Sequence, residues 1–288
     1  MSEPANGRGG GRPPRQVRTG IVQSVERINP TMIRVILGGP GLATFQAGEY
    51  TDHYVKLFFP LPGVAYPQPF DLGIIRQSMP RERWPRVRTY TVRRWDAERL
   101  ELSIDVFYHG EVGLAGPWAA RLRPGDVVHF AGPGGGYVPS SDVDTHLLIG
   151  DESALPAIAA SLERLPPGAR AIAFVEVAGP EAEQKVESPG EVSLHWLHRG
   201  SAPVGSQLVP AVAGPLFPPG VVQAFVHGEA GFVKELRALL LNERGVARER
   251  LSISGYWRLG DDEDSWDAVK RDWSAAVAAE QDESRRGH

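Results

Sequence analysis

The stretch "RVRTYTVRRWD" (residues 86–96) alternates Val87, Thr89 and Thr91 against Arg88, Tyr90 and Val92. β-Branched residues recur along it, so it reads as a strand. Yet Arg88, Tyr90 and Thr91 bring a cation, an aromatic face and a hydroxyl together on one short stretch. A solvated sheet edge accounts for the arginines. A flat, anionic ligand lying along the strand accounts for all three residue types.

Working outward, the flanking segments are also β in character. "RTGIVQSVERI" and "TMIRVILGG" alternate and are joined by an Asn29-Pro30 turn, which suggests a hairpin. "HYVKLFFP" ends at Pro60, and a Pro- and Arg-rich connection from Gln68 to Pro85 leads into the opening strand. "LELSIDVFYH" follows; "EVGLAGPWAARLRPGD" then holds a short helix between Gly and Pro signals, and "VVHFAGP" closes the region. Strands with one short helix over residues 17–139 predict a small antiparallel β-barrel domain.

The pattern changes near Ser140. The runs "THLLIG", "AIAFVEVA", "VSLHWLH", "VVQAFVHG" and "LSISGYW" are short and apolar, and helical segments such as "SALPAIAASLERL" and "FVKELRALLLNER" interrupt them. Residues 140–260 therefore predict an α/β domain with a five-stranded parallel sheet covered on both faces. In residues 261–288, Trp266, Val269, Trp273 and Val277 recur at spacings of three and four, which predicts an amphipathic helix. The preceding "DDED" reads as its solvated start, with acidic residues at the positive helix end. Residues 1–16, rich in Gly, Pro and Arg, read as a disordered tail.

Composition narrows the function classes. The 288 residues suffice for two domains, and 42% hydrophobic with 23% charged residues is ordinary for a globular protein. A net charge of −4 gives no reason to expect nucleic-acid binding. Cys is absent, which excludes disulfides, thiolate catalysis and cysteine-held metal, and fits a cytoplasmic location. No apolar run approaches the roughly 20 residues that span a bilayer, and the N-terminus has no secretory h-region. No membrane partner is expected, and a monomer is. The eight His residues show no metal-ligand spacing.

A guanidinium can pair with a pyrophosphate, a tyrosine ring can stack on a heterocycle, and a threonine hydroxyl can bond a ring nitrogen. FAD presents all three groups. About twenty residues after "RTYT", the Gly/Ala-rich turn of "YHGEVGLAGPWAARL" precedes a short helix, a setting suited to phosphate. A barrel followed by an open parallel sheet is a two-ligand layout, with the second ligand at the carboxyl ends of the strands. Other motifs read blandly. "AGPGGGYVP" is a turn, since no helix follows its Gly-x-Gly. Ser153 in "GDESA" lacks the following Gly of a nucleophile elbow and reads as a helix N-cap. Lys56 by itself reads as a surface lysine whose stem covers apolar neighbours.

With these segments in order, the chain resembles the siderophore-interacting proteins among the ferredoxin-reductase-type flavoproteins. The resemblance runs from about Arg18 to Gly260, on "HYVKLFFP", "RTYTVR", "DVFYHGEVGLAGPWAARLRPGD", "AGPGG", "LLIGDESALPAIAASLERLP", "VHGEAGFVKELRALLLNERGV" and "GYWRLG". It implies FAD held by Arg88, Tyr90 and Thr91, with Asp105, Phe107 and His109 around the ring and ribityl chain. Gly116, Pro117 and Trp118 would lie near the phosphates and adenine. Asp151, Glu152 and Ser153 after Gly150, with Glu229, Tyr256 and Trp257, would face NADH or NADPH. Lys56 and Arg258 are the basic residues the resemblance places at an anionic-chelate site. The loop before Trp118 is shorter than the family's usual one, and the C-terminal helix occurs in only some members.

The implied activity is FAD-dependent transfer of electrons from NAD(P)H to a ferric siderophore, with no side chain acting as acid or nucleophile and with iron(II) released in the cytosol. Two alternatives stand beside it. One is a flavin reductase exchanging electrons with a ferredoxin-like protein, and the other is a non-enzymatic siderophore-binding protein. Glu176, Glu181 and Glu183 against Lys185, after the second α/β strand, lean against a 2′-phosphate site, and the donor stays NADH or NADPH.

Overall fold

A computed structural model describes residues 16–261 and 263–286; most of the segment read as a disordered tail lies outside them. Strands β1 (Val17–Asn29), β2 (Met32–Gly38), β3 (Tyr54–Phe59), β4 (Arg86–Asp96), β5 (Glu101–Phe107) and β6 (Val127–Gly134) close into a barrel. Their order is β1-β2-β5-β4-β3-β6, and every pairing is antiparallel. Alternation builds the core directly: on β5, Leu102, Ile104 and Val106 point inward and are fully buried. The Pro- and Arg-rich connection between β3 and β4 is not all irregular: it carries helix α1 (Leu72–Ser78). Asp71 caps it by accepting from the Ile74 N–H, and Ile75 packs with Phe58 and Phe70 outside the barrel core. Helix α2 (Ala115–Arg121) plugs one end of the barrel.

The second domain comprises β7 (Thr145–Gly150), α3 (Leu155–Glu163), β8 (Arg170–Val177), β9 (Glu191–His198), α4 (Leu208–Ala213), β10 (Val222–Glu229), α5 (Ala230–Ala238) and β11 (Leu251–Trp257). Its sheet is parallel, in the order β11-β10-β7-β8-β9. Every residue of β7 is buried because both faces are covered. Leu148 packs with Ala157 and Ile158 of α3, while Leu147 and Ile149 pack with Val233 and Leu236 of α5. The chain builds outward from β7 to β9 and then crosses back to β10, so the order reverses between β7 and β10. That switch point is where open α/β sheets bind ligands.

Direct bonds fix one domain on the other. Arg93 on β4 grips Glu163 on α3 through two bonds of 2.7 and 2.5 Å. The buried hydroxyls of Thr51 and Ser161 meet at 2.7 Å. Helix α6 (Glu263–Arg286) adds a strap across β11. Trp266 and Val277 are buried and Trp273 is half-buried, but Val269 is 41% exposed, so the predicted apolar stripe is narrower than its four residues. A side chain at position 255 would stand 3.0 Å from the Trp266 ring, so Gly255 lets that indole lie flat on β11. The "DDED" segment is not simply solvated: Asp264 reaches Arg86 at 3.1 Å and Arg88 at 3.2 Å. The strap is tied to both domains.

Candidate active site

A cleft of about 640 Å³ lies between the barrel and the carboxyl ends of β7, β10 and β11. From β4 it receives Arg88, Tyr90 and Thr91. The Arg88 side chain is only 13% exposed; it donates to the Val87 carbonyl at 2.7 Å and pairs with Asp264. The β3–β4 register sets Lys56 opposite Thr89, with Nζ 3.3 Å from the Thr89 hydroxyl, so Lys56 reaches the cleft rather than open surface.

From β5 the cleft receives Asp105 and Phe107, with His109 just beyond. Asp105 is 4% exposed on the barrel's outer face, and two 2.7 Å bonds from Arg34 hold it there. That hydrogen-bonded carboxylate raises the Arg34 pKa further. Arg93 stands 3.9 Å from the same carboxylate, so Asp105 brings no net negative charge to the cleft. The rings of Phe107 and His109 stack at 5.6 Å. Ala115 and Gly116 line the cleft at the start of α2. A Cβ at position 116 would sit 3.2 Å from the Phe107 carbonyl, so glycine lets this turn abut β5. Pro117 and Trp118 lie elsewhere: Pro117 is buried in α2, and Trp118 packs edge-on against Phe59 at 4.9 Å.

The sheet contributes Glu152, Ser153, Tyr256 and Trp257. Asp151 stays behind them, fully buried, and its burial pushes its pKa up. It accepts from the backbone N–H groups of Ser153 and Glu229 and from the Trp257 indole, each at 2.9 Å. The ends of β7, β10 and β11 are thereby tied together, and Trp257 is fixed at the cleft wall. Ser153 is not the helix N-cap. Its hydroxyl donates back to Asp151 at 2.5 Å, and Ala154, without a side-chain acceptor, occupies the cap of α3. Glu229 instead caps α5, accepting from the Gly231 N–H at 2.6 Å, and also accepts from the Leu259 N–H. Glu152 is held by Arg199 at 2.7 Å and by the Ala178 N–H. Arg258 is half-exposed, lies 3.9 Å from Asp261, and is not among the residues lining the cleft.

Several lining residues are not marked by any sequence motif, His227 and Lys270 among them. His227 was hidden as a single imidazole inside "VHGEAGF", and Lys270 lies on the helix read as a tail. Among the described residues no cluster of His, Asp and Glu could hold a metal, and no helix is long and apolar enough to cross a membrane.

The donor set fits FAD: a largely buried guanidinium, an aromatic ring, a buried hydroxyl and a small-residue turn share one cleft. Family comparison agrees. The siderophore-interacting FAD-binding domain matches residues 21–137, and the siderophore-interacting protein model matches residues 143–260. The chain belongs to the siderophore-interacting protein family. An uncharacterized protein of Mycobacterium tuberculosis is 43% identical over 271 residues, covering 89% of this chain and 95% of that one. Ferric vibriobactin reductase of Vibrio cholerae is 33% identical over 242 residues, covering 83% and 88%. The crystal structure of a siderophore utilization protein from T. fusca superposes with a TM-score of 0.74 at 38% identity, covering 86% of this chain and 94% of that one. The barrel is thus the family's FAD-binding domain, followed by the ferredoxin-reductase-type α/β domain.

Proposed function

We propose that this protein is a cytoplasmic ferric-siderophore reductase that draws electrons from NADH or NADPH through FAD. The observation supporting it is the single cleft in which the flavin strand, the carboxyl ends of β7, β10 and β11, and two lysines meet. When bound, FAD supplies the conversion of a two-electron donor to one-electron delivery. Arg88 would hold the pyrophosphate, Tyr90 would offer its ring to the isoalloxazine, and the Thr91 hydroxyl would bond its edge. Trp257, pinned by Asp151, walls the donor side, with Glu152 and Ser153 beside it.

The substrate's iron sits among hard oxygen ligands that favour Fe³⁺ over Fe²⁺, so one electron loosens the chelate. Lys56 and Lys270 supply positive charge at the cleft of a protein that is acidic overall, and draw in an anionic chelate. No side chain need move a proton or form a bond, which suits a site where Asp105 is charge-balanced and Asp151 and Glu229 are spent on backbone N–H groups. The test is the visible spectrum of the purified protein. It should show bound flavin that bleaches under anaerobic NADH or NADPH; a colourless protein that takes up no FAD would leave only siderophore binding.

A further inference from the structure

Most charged side chains around the carboxyl ends of β8 and β9 are already engaged. Glu176 is fully buried and accepts from the Gly205 and Gln207 N–H groups at 2.6 and 2.8 Å. Glu152 accepts from the Ala178 N–H and stands 2.7 Å from Arg199, whose guanidinium also lies 4.0 Å from Glu176. The Arg199 side chain is 12% exposed, so it is largely enclosed between two carboxylates. Glu183 pairs with His198 at 2.7 Å, and Lys185 with Glu187 at 2.8 Å. On the barrel side, Asn29 donates to the Ala182 carbonyl at 3.0 Å, while Arg27 is turned to the Pro30 carbonyl and the Tyr108 ring. Glu181 differs. It is exposed on the 3₁₀ turn Pro180–Ala182, and among the described residues no ion pair or hydrogen bond engages its carboxylate. A Cβ at position 179 would stand 2.6 Å from a Glu181 carboxylate oxygen, so Gly179 lets that carboxylate fold back over the backbone just past β8.

We infer that Glu181 accepts a hydrogen bond from the adenosine 2′-hydroxyl of the electron donor, and that the protein therefore takes NADH in preference to NADPH. The inference rests on the nicotinamide-nucleotide reading above. A dinucleotide that crosses the switch point of an open parallel sheet lays its adenosine ribose at the end of the second strand. There an acidic side chain takes the 2′-hydroxyl, or an arginine takes a 2′-phosphate. In this domain β7 is the first strand and β8 the second. The arginine at hand, Arg199, already faces Glu152 and Glu176. The carboxylate left open to solvent is Glu181. A 2′-phosphate would lose the hydroxyl's bond and meet a negative charge where it needs a positive one. Ser201, two residues past Arg199, offers a neutral hydroxyl, which does not separate the two donors by charge.

The test is titration calorimetry of FAD-loaded protein with NAD⁺, NADP⁺ and 2′-deoxy-NAD⁺, which lacks the adenosine 2′-hydroxyl. NAD⁺ should bind about ten- to a hundredfold more tightly than either of the others, the worth of one charge-assisted hydrogen bond. Glu181→Gln, which keeps an acceptor without the charge, should narrow the gap over NADP⁺, and Glu181→Lys should invert it. Glu181 is exposed, so both variants should keep the flavin content of the unmodified protein and its limiting rate of flavin reduction at saturating NADH. Equal or tighter binding of NADP⁺ by the unmodified protein, equal binding of NAD⁺ and its 2′-deoxy analogue, or an unchanged gap in Glu181→Lys would overturn the assignment. Binding of none of the three, with a flavin that neither NADH nor NADPH bleaches, would remove the donor reading itself and this assignment with it.

Discussion

Asp264 sits where a carboxylate and the flavin's pyrophosphate would share one guanidinium. It lies 3.2 Å from Arg88 and 3.1 Å from Arg86. Replacing Asp264 with Asn removes a negative charge beside the phosphate site while keeping an amide that can still accept from arginine. Two unit charges about 4 Å apart interact by roughly 4 kcal/mol at an effective dielectric of 20. Asp264 is 39% exposed and Arg86 is 54% exposed, so screening reduces the contact to the surface range of about 0.2–1 kcal/mol. Asp264→Asn should therefore bind FAD about 1.4- to fivefold more tightly. Arg88→Ala should act in the opposite direction and more strongly, since a charge-assisted phosphate contact is worth about 1.5–3 kcal/mol, or roughly ten- to a hundredfold in Kd. In the Arg88→Ala background, Asp264→Asn should have a smaller effect, because the shared partner is gone. Flavin fluorescence on dilution reads dissociation in all four proteins. Faster flavin loss from Asp264→Asn than from the unmodified protein would refute competition and make Asp264 a support for Arg88.

Other outcomes follow from the same geometry. Trp266→Ala should cost about 3–5 kcal/mol of α6 docking, read as early proteolytic release of the C-terminal segment, because the indole is 1% exposed. Tyr90→Ala should shift the absorption maximum of bound flavin through loss of ring stacking, and an unchanged spectrum would move the ring elsewhere. Lys56→Glu combined with Lys270→Glu should raise KM for an anionic ferric chelate. The unmodified rate should itself fall with salt, since exposed charges are screened over about 8 Å at physiological ionic strength. His227 keeps a folded-state pKa of about 3 against an ordinary 6.5, so between those values the unfolded chain binds the extra proton. Stability should accordingly fall as pH drops through that window, by up to about 1.4 kcal/mol per pH unit. Denaturant titrations should show a shallower slope for His227→Gln.

The barrel and sheet were legible because alternation and continuous apolar runs report burial on one face or two. β5 and β7 show the two patterns plainly. Helix α1 was not legible: seven residues bury one isoleucine, too little for a period to emerge. Arg88, Tyr90 and Thr91 stand out by their chemistry, a cation, a ring and a hydroxyl on one strand, and the structure brings all three to one cleft. Asp151 and Glu229 looked like ligand contacts, yet they cap and tie backbone ends. Sequence does not say whether a carboxylate faces a ligand or an N–H. The helix of the strap was legible from its apolar spacing, but its tie was not: Asp264 meets Arg88 across 176 residues and Arg86 across 178, and no local pattern marks such a pair. His227 differs from both cases, because its place in the cleft wall shows only once its neighbours are assembled.

The most direct measurement is anaerobic: NADH or NADPH oxidation followed together with iron(II) capture by a chromogenic chelator, with a ferric siderophore as acceptor. Each nucleotide surrenders two electrons and each iron takes one, so two iron(II) should appear per nucleotide oxidised, and only when FAD is bound. Flavin that bleaches with the nucleotide but leaves the ferric chelate intact would contradict the account.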